Sequence, residues 1–180
     1  MRVIAGIAKR TVLVSPQGLT TRPTSGRAKE SLFSILGLKV KGAVVLDIFC
    51  GSGAIGIEAL SRGASSAVFV DNSIHAKKAV TANLDKTKLQ GEVITGTAAN
   101  AIKELNAKNR RFDIIFLDPP YDTNLLTETL HDLARSNILA NDTIIIAETD
   151  SKFEPTIPSV FAIESTRIYG RTKFLFLHYI

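Results

Sequence analysis

The chain reads as an α/β protein with a mostly parallel sheet covered by helices, and three observations predict this. From Val44 onward, short apolar runs alternate with segments whose apolar residues recur at helical spacing. The first run, Val44 to Phe49, leads into Gly51-Ser52-Gly53-Ala54-Ile55-Gly56, a glycine turn of the kind that joins a buried strand to a helix. The last two β-rich runs, near Ala162 to Ile168 and Phe174 to Tyr179, have no helix between them, so they should pair antiparallel.

The elements follow in order. Val3 to Ile7 and Thr11 to Val14 are β-rich runs around Gly6 and the Lys9-Arg10 pair, compatible with a hairpin. After Pro23, Ala28, Leu32, Ile35 and Leu36 fall at helical spacing between Ser25 and Leu36, with Gly37 as the stop and Arg27, Lys29 and Glu30 on the opposite face. Strands are predicted at Val44 to Phe49, Ala67 to Val70, Glu92 to Thr95, Ile114 to Leu117 and Thr143 to Ala147. Helices are predicted at Ala54 to Arg62, Ile74 to Leu84 and Ala98 to Asn106, with another marked by Leu125, Leu126, Thr129, Leu130 and Leu133.

Composition bounds the function. The 180 residues are 45% apolar and 22% charged, which suits one domain, 1–180, with 1–40 as an N-terminal hairpin and helix extension and 41–180 as the core. A net charge of +5 favours a polyanionic partner. Cys50 is the single cysteine, so an internal disulfide is excluded, and His75, His131 and His178 stand at spacings unhelpful to a metal site; none is expected. Cys50 itself reads as a small packing residue, since no His or Lys lies near it in sequence to lower its pKa. Lys9 and Arg10 interrupt the opening apolar run, so neither a signal core nor a membrane span is expected, and the protein reads as soluble and cytoplasmic.

The glycine turn carries the first chemical signal. Asp71 ends the second strand roughly 20 residues beyond it, where a carboxylate accepts ribose hydroxyls in nucleotide-binding folds. That pattern alone fits a nicotinamide dinucleotide as well as S-adenosylmethionine. Asp47 favours the second: a carboxylate just ahead of the turn repels a pyrophosphate but attracts the ammonium of a methionine moiety. The candidate cofactor residues are therefore Asp47, Phe49, Gly51, Ser52, Gly53, Asp71 and its neighbour Asn72.

Asp118-Pro119-Pro120-Tyr121 carries the second signal, just past the fourth strand of the sheet. Consecutive prolines stiffen the turn and remove amide donors, leaving carbonyl acceptors. An exocyclic base amine is a poor nucleophile because its lone pair is delocalised into the ring. Asp118 and the Pro119 carbonyl are placed to accept its two N–H bonds and aim it at a methyl donor, with Tyr121 stacking on the extracted base.

These motifs together resemble the class I, Rossmann-like methyltransferases, and the whole chain resembles the RsmD family of small-subunit ribosomal RNA guanine-N2 methyltransferases. The resemblance rests on Arg2 to Gly6, Arg22 to Ser25 with Arg27, Glu30 to Phe33, Leu46 to Arg62 and Asp118 to Tyr121. It implies a seven-stranded, mostly parallel sheet with the last strand antiparallel, S-adenosylmethionine as cofactor, and a monomer acting on RNA in an assembled or nearly assembled small subunit. It also implies that Arg22, Thr24 and Arg27 face the cofactor or RNA. Lys29 and Arg171 join them as candidate RNA contacts, and Arg171 could instead cap a strand turn. Two departures stand out: Gly26 replaces a usual acidic residue, and Thr97-Ala98-Ala99 lacks the acid that bonds the adenine amine in many class I enzymes, leaving backbone amides near Thr97 and Ala98 for that role. The rivals are a DNA adenine-N6 methyltransferase, which shares Asp118 to Tyr121, and a non-catalytic RNA-binding factor in ribosome assembly.

Overall fold

Five β-runs with Val, Ile, Leu and Phe on both faces can be satisfied only where helices cover both sides of the sheet. The computed structural model, which describes residues 1–16, 26–120 and 124–180, has that architecture. In chain order it contains α1 (Gly26–Leu36), a 3₁₀ turn (Gly37–Val40), β1 (Val44–Ile48), α2 (Ala54–Ser61), β2 (Ser66–Asp71), α3 (Ile74–Thr87) and β3 (Glu92–Thr95). It continues with α4 (Ala98–Ala107), β4 (Phe112–Leu117), α5 (Leu125–Ala134), β5 (Leu139–Asp150), β6 (Phe161–Tyr169) and β7 (Thr172–Tyr179).

The sheet order is β3-β2-β1-β4-β5-β7-β6. Neighbours β1 to β5 pair in parallel, and β7 runs antiparallel to both β5 and β6. Chain order reverses between β1 and β4, which makes the crevice above their carboxyl ends the place for a ligand. Alternate residues of each strand enter two separate cores. Val45, Phe69, Ile114, Phe116, Ile144 and Ile146 pack with α1, α2 and α3 on one face. Leu46, Ile48, Val68, Ile115, Leu117 and Ile145 pack with α4 and α5 on the other.

Local chemistry sets the ends of the elements. Ser73 caps α3, its hydroxyl accepting from the amides of His75 and Ala76, and Lys88 closes that helix in the left-handed conformation. Thr97 caps α4 by accepting from Asn100 N. Strand β5 extends well beyond the predicted Thr143 to Ala147, because its ladder with β7 continues to Asp150 opposite Thr172. The two N-terminal runs form less regular structure than their pattern suggests. Val3 N donates to Thr11 O and Leu13 N to Met1 O around a single antiparallel bridge, Arg2 to Val12. The chain between them turns through Gly6 and Arg10, both with positive φ. A Cβ on Gly6 would lie 1.6 Å from the Ser61 carbonyl oxygen, so only glycine lets this turn press against the end of α2.

A buried ion cluster ties that extension to the core. Glu58, fully buried in α2, accepts from Ile4 N at 2.8 Å and Ala5 N at 3.0 Å. It also pairs with Lys29 Nζ at 2.9 Å and with Arg62 Nε at 2.8 Å. Lys29 donates further to Arg2 O, and the Arg62 guanidinium lies over the Phe33 ring. Removing one partner of a buried ionic cluster strands the others in low dielectric. Glu58→Ala is therefore expected to lower unfolding free energy by about 3–5 kcal/mol in urea titration, and a Lys29→Met, Glu58→Gln double variant to recover part of that loss.

Candidate active site

Strand β1 delivers Asp47 to the crevice almost out of water, at 3% exposure. Its Oδ2 accepts from Gly56 N at 2.9 Å, so the carboxylate grips the first turn of α2. Burial, and to a lesser extent the Asp71 charge, pushes Asp47 up to about 7 despite that hydrogen bond. The following turn is tight. Phe49 has φ 63, a left-handed conformation costly for a side chain of its size, and Gly53 caps α2 at φ 72. At Gly56 a Cβ would meet the Phe69 ring at 2.4 Å, so glycine is what brings α2 down onto β2.

Asp71, at the end of β2, fastens the other side of the turn. Its Oδ2 accepts from Gly51 N at 3.0 Å and its Oδ1 from Ser73 N at 2.9 Å. Cys50 is buried behind the loop, and desolvation followed by the Asp47 and Asp71 charges pushes its thiol well up, as befits a packing residue. Ser52 is held from below: the Asn83 amide of α3 donates to the Ser52 carbonyl and to the Val14 carbonyl, while its oxygen accepts from Val14 N. Asn72 and Thr97 lie exposed near the same rim, with Ala98 buried at the start of α4.

Asp118 leaves β4 beside β1, its amide reaching the Ile48 carbonyl at 3.4 Å. Pro119 is buried and Pro120 exposed. Burial, then the Glu148 charge, then the Asp47 charge hold the Asp118 carboxyl well above the usual range. Among the described residues no group of three His, Cys, Asp or Glu is placed to hold a metal ion, and no helix is long and apolar enough to cross a membrane.

The predicted site thus divides. Asp47, Phe49, Gly51, Ser52, Gly53, Asp71 and Asp118 converge on one crevice, whereas Arg22, Thr24 and Tyr121 lie outside the described residues. Arg27 is exposed at the start of α1, and Arg171 is exposed in the β6–β7 turn, paired with Asp150 at the carboxyl end of β5. Lys29 is a correction. It is fully buried against Glu58, because its position in the helical turn places it beside Ala28 and Leu32 rather than on the solvated face, so it is not an RNA contact. Sequence reasoning passed over Asn83 and Glu148. Asn83 stands among Ala79, Val80 and Leu84 on the buried face of α3, and Glu148 is the first charge after Ile144 to Ala147, the same signal that marked Asp47 and Asp118.

The fold and this crevice define a class I, Rossmann-like methyltransferase. The family model described as Conserved hypothetical protein 95 matches residues 1–178, and the chain belongs to that family, the RsmD family. A Bacillus subtilis protein named "Putative rRNA methyltransferase YlbH" is 37% identical, covering 96% of this chain and 95% of its own. Ribosomal RNA small subunit methyltransferase D of Escherichia coli K12 is 31% identical over 97% of this chain and 87% of its own. The solved structure titled "Putative methyltransferase yhhF from Escherichia coli" superposes with a TM-score of 0.88 at 30% identity, covering 99% of this chain and 97% of that one.

Asp47 supplies a test of the crevice. Its pKa is raised on folding, so the unfolded chain releases the proton first, and the group costs stability increasingly as pH rises from the ordinary carboxylate range to about 7. Asp47→Asn keeps an acceptor for Gly56 N and removes the charge. The ligand-free variant is expected to melt about 5 °C higher than the parent chain at pH 8, with a smaller difference at pH 5, by calorimetry.

Proposed function

We propose that the chain transfers a methyl group from S-adenosylmethionine to the exocyclic N2 amine of a guanine in small-subunit ribosomal RNA. One observation carries the reading: the Asp118-Pro119-Pro120 turn and the Asp47-to-Gly53 loop flank the same switch point on adjacent strands, so an amine acceptor site and a cation-binding loop open into one crevice. The small-subunit RNA substrate draws on the name of the Escherichia coli relative, and the guanine amine on the sequence resemblance.

The residues fit the cofactor. Asp47 suits an ammonium, whose positive charge would draw its carboxyl back to the ionised form. Backbone at Gly51 has open space where a Cβ would stand, leaving room for close approach. Asp71 offers its remaining lone pairs to ribose hydroxyls, and backbone near Asn72, Thr97 and Ala98 borders the adenine side. When bound, S-adenosylmethionine supplies a methyl group on a cationic sulfur that departs as a neutral thioether.

Asp118 and the Pro119 carbonyl accept the two N–H bonds of the amine, direct its lone pair at the methyl carbon, and need no covalent attachment to the enzyme. With the methyl group delivered to the amine nitrogen and the sulfur leaving as a thioether, the nitrogen would shed one proton, which Asp118 or water would take up. The burial that raises Asp118 makes it a better proton acceptor than an ordinary carboxylate. Tyr121 stacks on the base. Arg22, Thr24, Arg27 and Arg171 contact RNA phosphates in an assembled or nearly assembled subunit in the cytoplasm, and the single domain acts as a monomer.

The deciding assay offers labelled S-adenosylmethionine with small subunits lacking the modification, free RNA and DNA, followed by nucleoside analysis. Labelled N2-methylguanosine in subunit RNA is expected; N6-methyladenine in DNA, or cofactor binding without transfer, would overturn the reading. Asp118→Ala should lower kcat about 100-fold or more while cofactor Kd stays within about threefold. Asp71→Ala should instead raise cofactor Kd about 10- to 100-fold. Equal loss of cofactor binding in both variants would refute the division of roles.

The pH dependence follows from the same geometry. An amine N–H is accepted by the ionised Asp118, so kcat/KM should rise with pH through an inflection well above the ordinary carboxylate range, and Asp118→Asn should abolish that inflection.

A further inference from the structure

Strand alternation puts a third carboxylate beside the two already described. Val45, Ile114, Phe116, Ile144 and Ile146 all enter the core on the α1 to α3 face. The residues that continue those rows at the carboxyl ends are Asp47, Asp118 and Glu148, on three adjacent strands. Leu117 pairs with Ala147 in register, so Asp118 and Glu148 are the next residues along neighbouring strands, roughly 4.8 Å apart in backbone spacing. Glu148 is 6% exposed, and its Oε1 accepts from the Thr172 hydroxyl at 3.4 Å.

The same row holds isoleucine at 144 and 146, so Glu148 is where it turns from apolar to acidic at the carboxyl end of β5. Burial first and then the neighbouring Glu148 charge raise Asp118, so the two carboxylates lie close enough to act on one ligand. Two carboxylates on neighbouring strands offer side-by-side acceptors to a ligand presenting adjacent N–H donors. The Watson–Crick edge of guanine presents them, N1–H next to the N2 amine, whereas adenine presents an acceptor at N1 beside its amine.

We propose that Glu148 is the specificity-determining residue of the base site, its carboxylate accepting guanine N1–H while Asp118 accepts an N–H of the N2 amine. The inference rests on the guanine-N2 reading above. Glu148 rejects adenine because its oxygen would face the N1 lone pair, and the Thr172 hydroxyl holds it in orientation. Selection between the two purines then lies in a strand of the core rather than in an added recognition domain, since a buried polar group left without its partner discriminates strongly.

The test compares small subunits reconstituted with guanine or 2-aminopurine at the nucleotide that the unaltered enzyme methylates. Both bases carry the C2 amine, but 2-aminopurine has an N1 acceptor in place of N1–H. The unaltered enzyme is expected to use 2-aminopurine with kcat/KM about 100-fold below guanine. Glu148→Gln, whose amide can donate to the N1 acceptor, should lower guanine turnover by a similar factor and bring the two bases within about tenfold of each other. Cofactor Kd and melting temperature check that the variant is folded.

Equal use of the two bases by the unaltered enzyme would overturn the proposal even if the variant fails to fold. So would a Glu148→Gln variant that loses activity toward both bases by one factor, as a purely structural role predicts, or that leaves guanine turnover unchanged. Absence of methyl transfer to any guanine by the unaltered enzyme would instead sink the guanine reading itself, and this proposal with it.

Discussion

Glu58 gathers three stretches of chain onto one carboxylate that water does not reach. The N-terminal segment arrives through the Ile4 and Ala5 amides, α1 through Lys29, and α2 through Arg62 and Glu58 itself. Burial pulls the Lys29 ammonium down from its ordinary value; burial would raise the Glu58 carboxyl, but the Ile4 amide and the two cations together hold it low. The cluster contains its own compensation, because every charge faces an opposite charge or a backbone dipole. Its consequence reaches the crevice, since Gly56, two residues earlier in α2, is the amide that Asp47 grips.

The other carboxylates obey the opposite logic. Asp47 and Asp118 are raised by burial and by acidic neighbours, so this end of the sheet stores unfavourable electrostatics that a cationic or N–H-rich ligand can relieve. The arrangement follows from parallel topology. Strands β1, β4 and β5 run in the same direction and in register, so whatever residue follows each apolar run arrives at the same edge and on the same face. The Asp47-to-Gly53 loop and the Asp118 turn, far apart in sequence, thus become neighbours without any contact between distant loops being required.

The extension completes the mouth of that crevice. Ser31 of α1 meets the Tyr169 hydroxyl at the end of β6, which sets α1 against the β6–β7 hairpin, and Asn83 ties Val14 to the carbonyl of Ser52 in the glycine loop. Arg27 and Arg171 reach solvent from elements bordering the carboxyl edge, on a chain whose net charge is +5. Lys29 and Arg62 thus pair with Glu58 inside the fold, whereas Arg27 and Arg171 reach solvent.

The sequence by itself determined the alternation of strands and helices, the antiparallel final pair, and the places of the glycine loop and the Asp-Pro-Pro turn, because each is written in local periodicity, in glycine and proline chemistry, or in a charge closing an apolar run. The strand expected near Glu92 to Thr95 and the helices expected from Ala54, about Ile74 and near Ala98 lie where the sequence placed them, with turn and cap residues immediately before each helix. Only the tertiary structure decided that Lys29 is buried, because a lysine beside Ala28 looks solvated until a carboxylate from another helix is brought to it. Only the sheet register placed Glu148 beside Asp118, for lateral pairing joins residues 30 apart by hydrogen bonds that no local pattern records. The packing of Asn83 against the glycine loop belongs to the same class: its two partners, Ser52 and Val14, lie 31 and 69 residues away, and their proximity is a property of the folded sheet and its helices.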